Sequence, residues 1–260
     1  MGERTSHPPG TFSWVDLATS DADAAKSIYS ELLGWQAEDM PAERGTYTIF
    51  RLDGKDVAAC FAQGEGGDGV PPHWNSYVTV EDADAAVSRA GELGGSVLMP
   101  AGDVERLGRM AVNADPTAAP LALWEPKRHI GAGLVNVPGA LCWTDLGTTD
   151  PDAAWAFYRE LFGWTIDDAS EDDPMRYRTI HNGESTNGSI HLQGEHERGV
   201  PPNWLVYFAT TDIEVSNSKL SDLGGQVIVQ PLEVPAGGRV SVVTDPQGAA
   251  FGLFEGPLDP

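Results

Sequence analysis

The sequence predicts an α+β protein made by tandem duplication, with four β-α-β-β-β modules, two in each half. Three observations carry this prediction. Residues 12–35, FSWVDLATSDADAAKSIYSELLGW, return as LCWTDLGTTDPDAAWAFYRELFGW at residues 141–164. Equivalent residues are 129 apart at Trp14/Trp143 and Trp35/Trp164, and 130 apart at Tyr47/Tyr177, Trp74/Trp204, Gly94/Gly224, Arg109/Arg239, Asp115/Asp245 and Glu125/Glu255. One single-residue length change between Trp35 and Tyr47 therefore aligns the halves throughout. Within each half, strand-period and helix-period patterns follow one another as strand, helix and three strands, twice over.

In chain order, residues 1–10 (MGERTSHPPG) are polar and rich in Pro and Gly, and read as a flexible leader. The first strand alternates, so Trp14 and Asp16 share one face, as do Trp143 and Asp145 in the repeat. Asp21 and Asp150 are placed to accept the free N–H groups of a helix's first turn, and Pro151 follows where no donor is needed. Ala25, Ile28, Tyr29, Leu32 and Leu33 mark one apolar helix face, matched by Ala154, Phe157, Tyr158, Leu161 and Phe162. Gly34 and Gly163 end these helices. Strands are expected at 35–39, 47–52 and 57–62, with Asp53-Gly54 as a hairpin turn. The glycines of GEGGDGVPP, residues 64–72, precede two prolines and a strand, not a helix N-terminus, so they form a connection and no phosphate loop. The second module runs through a strand at 74–80, a helix at 81–93 closed by Gly94-Gly95, and strands at 96–99, 104–114 and 121–124. The domain division is then 11–126 and 139–257, joined by a Gly/Pro-bearing linker at 127–138.

Composition narrows the partners. With 39 acidic and 16 basic residues the net charge is −23, so nucleic acid is not expected as a partner. No stretch has the length and apolarity of a membrane span, and the N-terminus has no apolar signal-peptide core, so a cytoplasmic location is expected. Cys60 and Cys142, the only cysteines, occupy non-equivalent positions and read as packing residues.

The helix signature ending in FY-x-E-L-F-G-W, the GVPP-x-W strand, the L-G-G turn and the closing GR-x-x-V-x-x-DPQGA-x-F-G-L-F-E resemble the vicinal oxygen chelate superfamily. That superfamily includes glyoxalase I, extradiol dioxygenases, fosfomycin-modifying enzymes and bleomycin-resistance proteins. More narrowly, the chain is similar to a two-domain actinobacterial branch labelled glyoxalase-like or hydroxylase. The resemblance implies that paired modules curve their mixed sheets into two cups that hold a ligand. It also implies a divalent metal held by His or Glu side chains at four strand positions. Three of those positions fall on Trp14, near Asn75 and on Ala122 in the first half, and on Trp143, Leu205 and Gly252 in the second. None suits a divalent ion. Glu125 and Glu255 lie three residues further on, where alternation turns them to the other face. The expectation is therefore a protein with no metal and no other cofactor.

Other chemistry is sparse. His181, His191 and His196 are the nearest approach to a histidine cluster, but the five-residue spacing of the last two puts them on opposite strand faces. Nothing matches a nucleophile elbow, an H-E-x-x-H helix or a dinucleotide fingerprint. What remains is a Trp beside a carboxylate, Trp14 with Asp16 and Trp143 with Asp145. This pairing suits a flat ligand with a positive or hydrogen-bonding group. Tyr77, Tyr207 and His191 join these four as expected ligand-binding residues; core packing is the competing role for the aromatics, and an ion pair for Arg109 and Arg239. Two functions follow: a metal-free binding protein for an aromatic or cationic metabolite or antibiotic, or a glyoxalase-type lyase, isomerase or hydroxylase-like enzyme. The chain is expected as a monomer or homodimer. Asp245-Pro246-Gln247-Gly248 faces Asp115-Pro116-Thr117-Ala118, and His191 and Asn187 face Phe61 and Val57, so the two cups are expected to bind unequally.

Overall fold

The computed structural model describes residues 2–42, 45–64, 69–167, 173–234 and 237–258. The first half contains β1 (Phe12–Thr19), α1 (Ala22–Leu33), β2 (Gln36–Ala42), β3 (Gly45–Leu52), β4 (Lys55–Ala62), β5 (His73–Thr79), α2 (Ala83–Glu92), β6 (Ser96–Val104), β7 (Gly108–Ala114) and β8 (Pro120–Pro126). The second contains β9 (Leu141–Thr148), α3 (Pro151–Phe162), β10 (Thr165–Ile166), β11 (Arg178–Asn182), β12 (Ser185–Leu192), β13 (Asn203–Ala209), α4 (Ile213–Asp222), β14 (Gln226–Glu233), β15 (Arg239–Thr244) and β16 (Ala250–Glu255). Each half forms one mixed eight-stranded sheet, ordered β2-β3-β4-β1-β5-β8-β7-β6 and β10-β11-β12-β9-β13-β16-β15-β14. Its two modules meet at the antiparallel pair β1/β5 or β9/β13. Strand order is thus identical in the halves. The length change falls between Trp164 and Tyr177, a stretch whose residues 168–172 lie outside the described residues, as do residues 65–68 of the glycine-rich connection.

The helix ends follow their cap residues. Asp21 accepts from Ala24 N at 2.9 Å and Asp150 from Ala153 N at 3.0 Å, and Asp82 and Asp212 do the same for α2 and α4. Each such cap is worth about 1 kcal/mol. Gly34 and Gly163 close α1 and α3 in the left-handed conformation.

The helix-bearing faces of the two sheets pack on each other. Ala25, Ile28, Tyr29 and Leu33 share one core with Val206, Phe208, Ile213, Leu220 and Phe251 of the other half. Phe12, Val78 and Leu121 share a second with Leu146, Phe157, Tyr158 and Trp164. Two equivalent hydrogen bonds lock this pseudo-twofold contact: Trp35 Nε1 donates to Gly139 O, and Trp164 Nε1 to Gly10 O, each at 2.7 Å.

The Asp-Pro turns also lie at this contact, which corrects their expected place beside the cups. Tyr29 of α1 donates to Asp245 Oδ2 at 3.0 Å across the halves. Ala118 takes the same left-handed conformation (φ 75°) as Gly248 (φ 99°). The Asp115 carboxylate, bonded to the N–H groups of Thr117 and Ala119, holds the turn in that strained region. This turn therefore does not distinguish the halves.

Residues 2–10 run along the linker. Arg4 N donates to Gly133 O, Val135 N to Gly2 O, and His7 Nε2 lies 2.8 Å from Ala132 O. Together the two segments lie against the first half's sheet, where Ala132 N reaches Ser13 O at 2.7 Å and Gly133 N reaches Asp56 O at 2.7 Å.

Candidate functional site

Alternation on β1 sends Val15 and Leu17 into the shared core and Trp14 and Asp16 to the opposite face. That outward face, in each half, is the cup. The ladder places Trp14 beside Tyr77, Asp16 between Ala59 and Asn75, and Tyr77 beside Ala122. The second half repeats this with Trp143 beside Tyr207, Asp145 between Ser189 and Leu205, and Tyr207 beside Gly252.

The first cup is full. Asp16 Oδ2 accepts from Tyr77 Oη at 2.7 Å and Tyr47 Oη at 2.9 Å, while Oδ1 accepts from Asn75 Nδ2 at 2.9 Å. Trp14 Nε1 donates to Tyr47 Oη. Burial raises the Asp16 pKa and outweighs the opposing hydrogen bonds from Tyr77, Asn75 and Tyr47. The linker closes the top: the His129 ring stands edge-on to Trp14 at 4.6 Å, and Trp124 Nε1 donates to His129 O. Ala132 and Val135 are buried in one cluster with Trp14, Ala59, Tyr77, Ala122 and Trp124. Trp14 and Tyr77, expected to meet a ligand, are instead packed with the chain's own linker, and Asp16 is buried among Tyr47, Asn75 and Tyr77, with Trp14 only 3% exposed.

The second cup is wired differently. Ser189 stands where Ala59 does, and links Trp143 Nε1 (2.8 Å) to Asp145 Oδ1 (2.7 Å). His191 stands where Phe61 does; its Nδ1 lies 3.0 Å from Asp145 Oδ2, off the line of a hydrogen bond, and its Nε2 lies 3.1 Å from Glu197 Oε1. Burial by itself would lower the His191 pKa, but the two carboxylates outweigh it and push it up to about 10, so the imidazole is a cation at neutral pH. Glu197 sits in the connection after β12 and also accepts from Gly194 N. A Cβ on Gly147, where the first half has Ala18, would stand 2.6 Å from Glu197 Oε1, so this glycine admits the pair. Trp143, Val240, Val242 and Phe254 are each partly exposed, and Tyr177 is 41% exposed with its hydroxyl turned toward Ser189 and Trp143.

Two expectations about polar groups change here. Neither Asp16 nor Asp145 offers a carboxylate to a cation, since each already has partners on both oxygens. Asn187 is not in the cup: a bulge opposite Ile180 and His181 turns it to the interface, where its amide binds Gly10 O and Phe12 N. Arg109 and Arg239 sit in ion pairs with Asp84, Glu125, Glu214 and Glu255. Glu125 and Glu255 accept from Ala83 N and Ile213 N at the helix N-termini, on the face away from the cup. The His196 side chain lies outside the described residues.

Two of the clefts among the described residues lie outside both cups. One, of about 390 Å³, is lined by Asp21, Asp23, Lys26 and Asp39; it is open and polar, and Lys26 is already paired with Asp23 and Asp39. The other, of about 260 Å³, lies between α2 and the end of α3. Neither brings together groups suited to chemistry.

The family model for the Glyoxalase/Bleomycin resistance protein/Dioxygenase superfamily matches residues 11–120 and again residues 140–253. The chain belongs to this superfamily. A Mycobacterium tuberculosis protein provisionally named as a glyoxylase, CFP32, is 41% identical over 258 residues, covering 98% of each chain. The anthracycline biosynthesis protein DauV of Streptomyces sp. strain C5 is 34% identical over 271 residues, covering 96% of this chain and 95% of its own. Among solved structures, the Mn(II)-bound glyoxalase of Novosphingobium aromaticivorans aligns with a TM-score of 0.67 at 14% identity, covering 98% of this chain and 83% of its own. The 2,3-dioxygenase LapB of Pseudomonas sp. KL28 gives the same score and identity, with 98% and 95% covered. At that identity the likeness shows the fold.

Superfamily enzymes hold a divalent metal, and the residues here do not fit one. Of the six positions where a ligand would stand, four carry Trp, Leu or Gly in place of a donor, and a fifth carries Ala122. The sixth, Asn75, has its amide committed to Asp16. Among the described residues no group of three or more His, Cys, Asp or Glu side chains is arranged to hold a metal ion. Glu197 and Ser189 were missed in the sequence: Glu197 follows β12 in a connection with no period to read, and Ser189 is a small residue with nothing to mark it. Comparing the halves position by position finds Ser189, Gly147 and Gly252, each of which replaces an alanine.

Proposed function

We propose that the chain is a small-molecule-binding member of the superfamily that holds a flat aromatic metabolite or antibiotic in its second cup without a metal. The observation that carries this reading is the contrast at one pair of residues: Trp14 is sealed beneath the linker, whereas Trp143 is partly exposed beside Tyr177 and Tyr207. A partly exposed indole flanked by phenols is a stacking surface whose polar edges are held in place by Ser189 and Asp145. The DauV relative is named for anthracycline biosynthesis, which is consistent with a role in handling aromatic secondary metabolites by sequestration, resistance or as an accessory to synthesis. The cationic part of the expectation loses its motive, because Asp145 already faces His191. The division into 11–126, 127–138 and 139–257 belongs to the same reading, with the linker serving as the first cup's occupant. Titration calorimetry with planar aromatic compounds tests it. One site per chain is expected, lost in Trp143→Ala and kept in Trp14→Ala; two equal sites, or indifference to Trp143, would overturn it.

A second reading rests on His191. An imidazolium held between Asp145 and Glu197 in a cup is a proton donor in place, as a metal-independent lyase, isomerase or hydroxylase-like enzyme would require. Turnover of a bound compound that is lost in His191→Phe, with binding retained, would favour it.

A further inference from the structure

We infer that the second cup selects aromatic ligands carrying a carbonyl oxygen, that the Tyr207 hydroxyl is the donor that reads this oxygen, and that Gly252 is what frees it. The inference rests on the binding role proposed above and names the chemical class of its ligand.

Tyr77 and Tyr207 are equivalent residues with different work. Tyr77 gives its hydroxyl to Asp16 at 2.7 Å. Tyr207 has no hydrogen-bond partner for its hydroxyl among the described residues. The cause lies on the neighbouring strand. A Cβ on Gly252 would come within 2.0 to 2.5 Å of three atoms of the Tyr207 ring, so the ring lies across the β16 backbone in space that a methyl group fills at Ala122. Drawn aside, Tyr207 leaves Asp145 to Ser189 and His191. Its hydroxyl stays protonated, because burial and then Asp145 hold its pKa well above the usual phenol value.

The remaining polar groups fix what the ligand must bring. Asp145 and Glu197 are both engaged by His191, and Glu197 by Gly194 N as well. The cup therefore presents a free donor beside a stacking surface and no free carboxylate. An ammonium finds no partner there. A ketone or quinone oxygen on a flat ring finds one in Tyr207, and a ligand without it would leave a buried donor unsatisfied.

The test uses 9-fluorenone and fluorene, flat tricycles differing at the carbonyl, titrated by quenching of tryptophan emission. Wild type is expected to prefer fluorenone. Tyr207→Phe should weaken fluorenone roughly three- to tenfold, the size of one neutral hydrogen bond, and leave fluorene unchanged. Infrared spectra should show the bound carbonyl stretch lowered in wild type and not in Tyr207→Phe. Gly252→Ala, with its melting midpoint checked, should weaken both probes by pushing the ring toward Asp145. Fluorenone binding that is unchanged in Tyr207→Phe, with an unshifted stretch, overturns the inference while leaving the binding role standing. Failure of both probes to bind wild type removes the binding role and this inference with it.

Discussion

At the contact between the halves, Trp35 and Trp164 make the same bond to Gly139 and Gly10, at the same length. On the cup faces the equivalents have diverged: Ala18, Ala59, Phe61 and Ala122 in the first half stand opposite Gly147, Ser189, His191 and Gly252 in the second. The difference shows where duplication constrains a chain. A contact residue packs against both halves at once, so changing it disturbs two cores. A cup residue answers only to its own cup, and the linker's occupation of the first cup leaves the second to carry different chemistry.

The largest expected effect tests the symmetric side of this comparison. Trp35→Ala and Trp164→Ala should each cost about 3 to 5 kcal/mol in denaturant unfolding, the usual range for a buried Trp. Similar values are expected for the two; a loss confined to one would break the symmetry.

The next two test the asymmetric side. Trp14→Ala should cost about 3 kcal/mol, because it empties a core sealed by His129 and Ala132. Trp143→Ala should cost less, since part of its ring is already in water. Comparable losses would mean that the second cup is filled too. Asp16→Ala strands the Tyr47 and Tyr77 hydroxyls and the Asn75 amide, at about 1 to 3 kcal/mol for each group left unsatisfied. Asp145→Ala strands fewer donors but leaves His191 facing Glu197 alone, so its effect should depend more on pH.

The pH dependence of stability is expected to be opposite in sign in the two halves. His191 has its pKa raised to about 10 in the folded chain, so its contribution is fully present below the unfolded value of about 6.5 and is lost as pH rises toward 10. His7 and His129, at the first cup, have pKa values lowered chiefly by burial. They take up protons more readily when unfolded, so stability falls as pH drops below about 6.5. Melting midpoints across pH should show the alkaline loss vanish in His191→Phe and the acid loss shrink in His129→Phe. An alkaline limb that survives His191→Phe would remove the charged His191 from the second cup.

Much of the fold was legible because its signals are local. The Asp21 and Asp150 caps, the Gly34 and Gly163 stops and the strand alternation at Trp14 and Asp16 each depend on neighbours within a few residues. The repeat supplied the identity of the two sheets. The bulge at Asn187 was invisible, because one extra residue in a strand reverses its faces without changing the composition. The place of the Asp-Pro turns was equally hidden, since their partner Tyr29 lies 216 residues from Asp245.

The sequence by itself determined the duplication, the order of strands and helices along the chain, and the shared face of Trp14 with Asp16 and of Trp143 with Asp145. These follow from periodicity and residue chemistry, which a linear chain displays. Only the tertiary structure decided that the 127–138 segment fills the first cup, that His191 is held between Asp145 and Glu197, and that Tyr207 lies across Gly252. Each is a question of which side chain takes a given volume first, and that is settled by packing between segments remote in sequence.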